Sequence, residues 1–294
     1  GVKDMGIALA DEFLPSGKLI NYSAGKGIGK EEHIATALGH FEKGKVVVLA
    51  DHNTASASEI FLGALQDWDR CLTLGTPSYG KGLIQQSYKL GDGSTIRLTV
   101  GKFYSPLGRN FQRPPNDKWF DNYKDKIPAN GLTSQLTVEP EYRFETHGKR
   151  SLLKGQGGIY PDVYYVAPPK DMLSFERYNK GGYIFGFATY HTDQNRLAYL
   201  ERFKSSTDFR NDPNIDRELA KAFKAYIAFN GFEEGKDDSF GTPKSVIDKV
   251  KAWMAGQLWN DSAYYELTNA TDPTLDKAVE LINGSSFDDL GIGY

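Results

Sequence analysis

Apolar residues at Ile7, Leu9, Ala10, Phe13 and Leu14 fall near helical spacing and predict a helix over residues 2–14, closed by Pro15-Ser16-Gly17-Lys18. Residues 19–22 read as a short strand and residues 23–31 as a glycine-rich loop. Residues 45–50 form a continuous apolar run rich in β-branched side chains, the pattern of a buried parallel strand. A helix follows over 56–70, with Ile60, Phe61, Ala64, Leu65 and Trp68 as its apolar stripe, and residues 71–75 form the next buried strand. Strand, helix, strand at this spacing is a βαβ unit. Beyond the loop 77–82, strands at 85–90 and 95–104 flank Gly91-Asp92-Gly93-Ser94 and predict a hairpin. From Gly108 to about Gly155 no single period holds, which marks an irregular insertion over about 109–156. Regular patterning returns at Gly157-Gly158-Ile159-Tyr160-Pro161-Asp162-Val163.

After Pro168-Pro169 the pattern becomes helical, over roughly 193–206, 213–230, 242–258 and 273–283. Asp212-Pro213, Thr242-Pro243 and Asp272-Pro273 each place a cap before a proline, the usual start of a helix. The expected organisation is an α/β core over 1–168 and an all-helical C-terminal domain over 169–294.

Composition narrows this picture only a little. The chain has 294 residues, 39% of them hydrophobic and 25% charged, with a formal net charge of -3. No basic stripe marks it as a nucleic-acid binder. The single cysteine, Cys71, lies in an apolar run and excludes an internal disulfide framework. No stretch approaches the eighteen or so apolar residues of a membrane span, and no signal peptide is visible. Because Gly1 runs straight into an amphipathic pattern, the chain reads as an N-terminally truncated piece of a longer protein.

Chemistry concentrates where the first buried strand meets the helix. Ser56 lies at the expected first helical turn, where free N–H groups and the positive end of the dipole favour an alkoxide or oxyanion. Ser56-x-x-Glu59 is also a capping box, which explains a serine there without catalysis. Lys81 sits between two glycines in the loop after the next strand, at the same end of the sheet. Held there and desolvated, it would lose its proton readily and serve as a base for Ser56. The plain alternative is a solvated loop lysine.

These residues, Ser56-Ala57-Ser58-Glu59-Ile60, Gly63-Ala64-Leu65-Gln66-Asp67 and Gly80-Lys81-Gly82, closely resemble the C-terminal processing peptidases, or tail-specific proteases. The resemblance continues through Gln85, Leu90-Gly91-Asp92-Gly93, Leu98-Thr99, residues 104–109 and Gly158-Ile159-Tyr160-Pro161-Asp162, covering about 1–166. It implies a crotonase-like (ClpP/crotonase) α/β peptidase core, often preceded by a PDZ domain that gates substrate access. By resemblance Ser56 is the nucleophile, Lys81 the base and Gln85 the residue that orients the lysine. The N–H of Ala57 is the implied oxyanion donor, and Gly1 stands at the end of the family's glycine-rich turn that supplies the other. The family also implies a protein substrate with an apolar C-terminal segment, a bacterial periplasmic or cell-envelope location and no cofactor.

Rival roles are weaker. His52, four residues before Ser56, raises a Ser–His pair, but no third member accompanies it. Asp67 lies eleven positions beyond Ser56, about 16 Å along a helix, too far for a triad, and is expected to pair with Arg70. The five histidines show no metal-ligand spacing with Cys or carboxylates. Gly80-Lys81-Gly82 lacks the P-loop pattern, and the glycines of residues 25–29 read as a surface loop. The alternative function is a catalytically inactive relative that binds a hydrophobic ligand or peptide, as the interphotoreceptor retinoid-binding proteins do. A scaffold whose helical domain recruits partners is a third reading.

Overall fold

The computed structural model describes residues 1–36, 39–154, 156–167, 177–232 and 242–293. The chain divides into two compact units, one of Gly1–Val166 with Asp276–Tyr294 and one of Ala167–Leu275. The boundary expected near residue 169 falls outside the described residues. The expected extent of the helical domain is corrected at its end, because residues 276–294 belong with the first unit.

The first unit opens with α1 (Lys3–Asp11) and the strands β1 (Leu19–Gly25) and β2 (Gly29–Ile34). β1 and β2 pair antiparallel from Leu19↔Ile34 to Gly25↔Gly29. The expected loop over 23–31 is therefore a hairpin, and only its tip turns. β2 is almost wholly exposed, so no apolar alternation marks it in the sequence.

The βαβ unit forms as expected. β3 (Val47–Ala50) and β4 (Leu72–Gly75) pair in parallel across α2 (Ala57–Asp67), and β9 (Val163–Tyr164) joins β4, also in parallel. The apolar stripe of α2 packs Ile60, Ala64 and Leu65 on Ala10, Leu14, Ile20 and Cys71. The hairpin β5 (Leu83–Lys89) and β6 (Thr95–Tyr104) completes a second sheet, ordered β2-β1-β6-β5.

The irregular stretch is not shapeless. It folds as short 3-10 turns and a small antiparallel pair, β7 (Arg143–Glu145) with β8 (Ser151–Leu153). Trp119, Leu136, Leu153 and Tyr160 form its own small core. Its expected start at 109 is early. Phe111 is buried in the main core with Ile60 and Ile159, and Arg109 donates from Nε to Asp67 Oδ1 at 2.9 Å and from Nη2 to Gln66 Oε1 at 3.1 Å. Asp67 also accepts the Leu107 N–H at 2.9 Å. The expected Asp67–Arg70 pair does not form. Arg70 instead donates to the carbonyls of Phe13, Gly44 and Phe41.

The second unit contains α3 (Tyr183–Arg202), α4 (Ser206–Asn211), α5 (Ile215–Phe229), α6 (Lys244–Leu258) and α7 (Asp261–Asn269). Its core gathers Ile184, Phe187, Phe209, Leu219, Phe223, Val250 and Met254. Two of the cap-then-proline signals act through their aspartates. Asp212 accepts the N–H groups of Asn214 and Ile215, and Asp272 accepts that of Thr274 at the start of α8 (Pro273–Asn283). Beyond α8 lies α9 (Ser286–Asp289). Ala278, Leu281, Phe287 and Ile292 cover Leu72, Leu74 and Val163 of the parallel sheet.

Candidate active site

The site is built where the βαβ unit turns. Asp51, just past β3, accepts the N–H groups of Asn53 (2.8 Å) and Thr54 (3.1 Å) and ties the turn tightly. The chain then reaches Ser56 with φ 59° and ψ −115°. A side chain is rarely accommodated there, at a cost of about 1–3 kcal/mol, and such strain gathers at functional positions. The Ser56 carbonyl already serves the helix, accepting the N–H groups of Glu59 (2.9 Å) and Ile60 (3.1 Å).

Glu59 is the hub of the site. Its side chain is fully buried. One carboxylate oxygen, Oε2, accepts the main-chain N–H groups of Ser56 and Lys81, each at 2.8 Å. The other, Oε1, accepts the Ser78 hydroxyl (2.6 Å) and the Gly80 N–H (2.7 Å). A buried carboxylate is tolerable only when fully hydrogen-bonded, and bonds to charged acceptors are the strong ones. Glu59 thereby fixes the serine turn and the lysine loop to a single atom. Tyr79 adds a second tie by donating its N–H to the Thr54 carbonyl at 2.9 Å. By its local pattern Glu59 is only half of a capping box. Its return bond to the Ser56 N–H is present, but three further donors come from residues 78–81, and no local pattern announces them.

The lysine loop is also held from its far side. Gly80 has φ 87°, and an added Cβ would stand 2.6 Å from the Cβ of Arg113. The Arg113 N–H donates to the Gly80 carbonyl (3.0 Å), and its guanidinium donates to the carbonyls of Ser78 (2.9 Å) and Tyr79 (3.3 Å). Gln112 accepts the Gly82 N–H at 3.1 Å.

The predicted side chains are placed as follows. Lys81 and Gln85 are both exposed and line one cleft of about 520 Å³ together with Asn53, Ala55, Tyr79 and Gln112. The expected desolvation of Lys81 is thus not present in this state. Among the described residues, no hydrogen bond joins the Lys81 ammonium to Ser56 or to Gln85. Gly1 and Ala57 are neighbours, since a Cβ built on Gly1 would lie 3.1 Å from that of Ala57. Gly6 explains why: a Cβ there would fall 2.4 Å from the Ala57 carbonyl oxygen, so only glycine lets α1 lie against the start of α2. His52 is exposed and makes no hydrogen bond to Ser56.

Residues 1–116 match the family model described as peptidase family S41. Over these residues the chain is similar to peptidase family S41. It is 36% identical over 175 residues to a carboxy-terminal-processing protease of Bartonella bacilliformis, covering 58% of this chain and 39% of that protein. A carboxyl-terminal-processing protease of Synechocystis sp. is 38% identical over 106 residues, 36% of this chain and 24% of its own. The chloroplastic carboxyl-terminal-processing peptidase 1 of Arabidopsis thaliana is 36% identical over 106 residues, 36% of this chain and 22% of its own. Among solved structures, a photosystem II D1 C-terminal processing protease is 25% identical, with TM-score 0.38 over 56% of this chain and 31% of that one. The chain therefore spans about two fifths or less of the length of these curated relatives. Ser56, Glu59 and Lys81 all lie inside the S41 match, whereas residues 117–294 lie beyond it.

Proposed function

We propose that this chain is the catalytic part of a serine endopeptidase that works through a Ser56–Lys81 dyad on a crotonase-like core. Ser56 Oγ attacks the scissile carbonyl while Lys81 Nζ takes its proton. The tetrahedral oxyanion is held by the Ala57 N–H at the start of α2 and by the turn ending at Gly1. Collapse breaks the C–N bond, Lys81 returns the proton to the leaving amine, and water then hydrolyses the acyl-enzyme with Lys81 again as base. Gln85 orients the lysine. Lys81 is exposed when the cleft is empty, so a bound peptide supplies the water exclusion that a neutral amine requires. The substrate is an extended, apolar C-terminal segment of a protein, and the location is the bacterial periplasm or cell envelope, with a PDZ domain upstream.

The observation that carries this reading is the shared Glu59 oxygen, which bonds the main chains of Ser56 and Lys81 at 2.8 Å each. A binding module has no need to tie those two residues to one atom. The exposure of Lys81 is the one observation that favours the inactive, ligand-binding alternative. Ser56→Ala and Lys81→Arg separate the two: both are expected to abolish cleavage of an unfolded casein-like substrate while leaving the melting curve in place. A guanidinium stays protonated and cannot accept the serine proton. Undiminished cleavage by Lys81→Arg would exclude the dyad.

A further inference from the structure

Tyr79 is a wall shared by two cavities. One is the cleft of Lys81 and Gln85. The other, about 470 Å³, is lined by His52, Thr76 and Tyr164 at or just beyond the carboxyl ends of β3, β4 and β9. Open α/β sheets take ligands at that end of their strands. The loop after β4 adds Pro77, Ser78 and Tyr79, and the remaining lining comes from the segment from Arg113 onward, with Lys118, Phe120 and Lys124.

We propose that this second cavity is a substrate subsite that receives a peptide carboxylate a few residues from the scissile bond. The proposal rests on the peptidase reading above. Because Tyr79 lines both cavities, an extended peptide that runs from the Lys81 cleft past its ring reaches the second. Tyr79, Phe120 and Tyr164 offer aromatic surface to a side-chain stem, and the rings of Phe120 and Tyr164 pack at 5.4 Å.

Charge selects the head group. Two acidic residues lie in this cavity, and both are spent. Asp117 is bonded to Arg113 (3.2 Å) and accepts the Trp119 N–H (2.8 Å). Asp121 is bonded to Lys124 at 3.0 Å. Among the described residues, the Lys118 ammonium has no such partner. The cavity is therefore left with one uncompensated cation against an aromatic wall, which suits a carboxylate carried by the substrate.

The test uses fluorescence anisotropy on the Ser56→Ala protein with labelled unstructured peptides, in which one glutamate is moved a position at a time through an otherwise apolar sequence. The expected result is tighter binding, by about two- to fivefold, at one or two adjacent positions over the matching glutamine peptides. Lys118→Ala should remove this preference and Lys118→Glu should invert it. Amidating the terminus of the glutamine peptides separates the sources: unchanged binding assigns the carboxylate to the side chain, and a loss of binding that disappears in Lys118→Ala assigns it to the chain end. Equal binding of the glutamate and glutamine peptides with no effect of amidation, or a preference untouched in both Lys118 variants, would overturn the subsite. Cleavage of the same peptides by the unmutated protein reports separately on the peptidase reading. Cleavage without any Lys118-dependent preference rejects only the subsite, and Lys118-dependent binding without cleavage rejects only the peptidase.

Discussion

Replacing Ser56 by glycine and by alanine removes the same hydroxyl but treats the backbone differently. Alanine keeps a Cβ at φ 59° and ψ −115°, whereas glycine adopts that geometry freely. Relief of the strain is worth about 1–3 kcal/mol. Against it stands the greater freedom of a glycine in the unfolded chain, about 0.4–1 kcal/mol. The balance for mid-range values makes Ser56→Gly more stable than Ser56→Ala by roughly 1 kcal/mol, although both are inactive. Cys71 offers a readout confined to the first unit. It is the chain's single cysteine, fully buried in the core beneath α2, and burial pushes its thiol up to about 12. A thiol reagent at neutral pH therefore reacts only through opening of that core. Under conditions where reclosing outpaces labelling, 1.4 kcal/mol is a tenfold change in rate. The glycine variant is expected to label about fivefold more slowly than the alanine variant. Faster labelling of the glycine variant would show that the turn stores no strain at Ser56.

Other perturbations reach different parts of the molecule. Glu59→Gln leaves one acceptor oxygen for four donors, at a cost of about 1–3 kcal/mol for each donor left unsatisfied; peptide turnover should fall to background, and a retained rate with an unshifted melt would contradict the hub role. Arg109→Met strands the buried Asp67 carboxylate and should destabilise the first unit by about 3–5 kcal/mol, read as a faster Cys71 labelling rate. Gly6→Ala drives a methyl into the Ala57 carbonyl and should cost about 1–3 kcal/mol together with most of the activity; normal activity would separate α1 from the site. His191, stacked on Phe187 and bonded to the Tyr199 hydroxyl at 2.9 Å, is held neutral by burial, below the usual histidine value. The unfolded chain then binds its proton first, so this contribution to stability is present above about pH 6.5 and is lost as the pH falls through the lower folded value. Urea midpoints between pH 7 and 5 should show that loss in the native chain and a smaller one in His191→Gln.

Much of the site was legible because its parts are local. The βαβ unit follows from two apolar runs around an amphipathic stripe, and Ser56 and Lys81 fall at the ends of those elements. What the sequence hid was long-range. Glu59 looks like a helix cap until the loop 78–81 folds onto it, and Asp67 finds Arg109 rather than the nearby Arg70 because Arg70 is committed to three carbonyls. β2 escaped because its side chains face solvent along nearly their whole run, leaving no alternation to read. The inserted segment escaped for another reason: its core is made of scattered aromatics joined by turns, and turns carry no period.

The packing of residues 276–292 on β4 and β9 has a consequence for biosynthesis. Leu72, Leu74 and Val163 are translated early, yet the side chains that cover them, Phe287 and Ile292 among these, emerge only after the whole helical unit. At ribosomal speeds of about 5–20 residues per second, that sheet face waits on the order of ten seconds with its apolar side bare. During this interval the bare face is open to non-native association. A stall or truncation before residue 276 would release a product whose parallel sheet lacks one of its layers, and which is more prone to aggregate than to work.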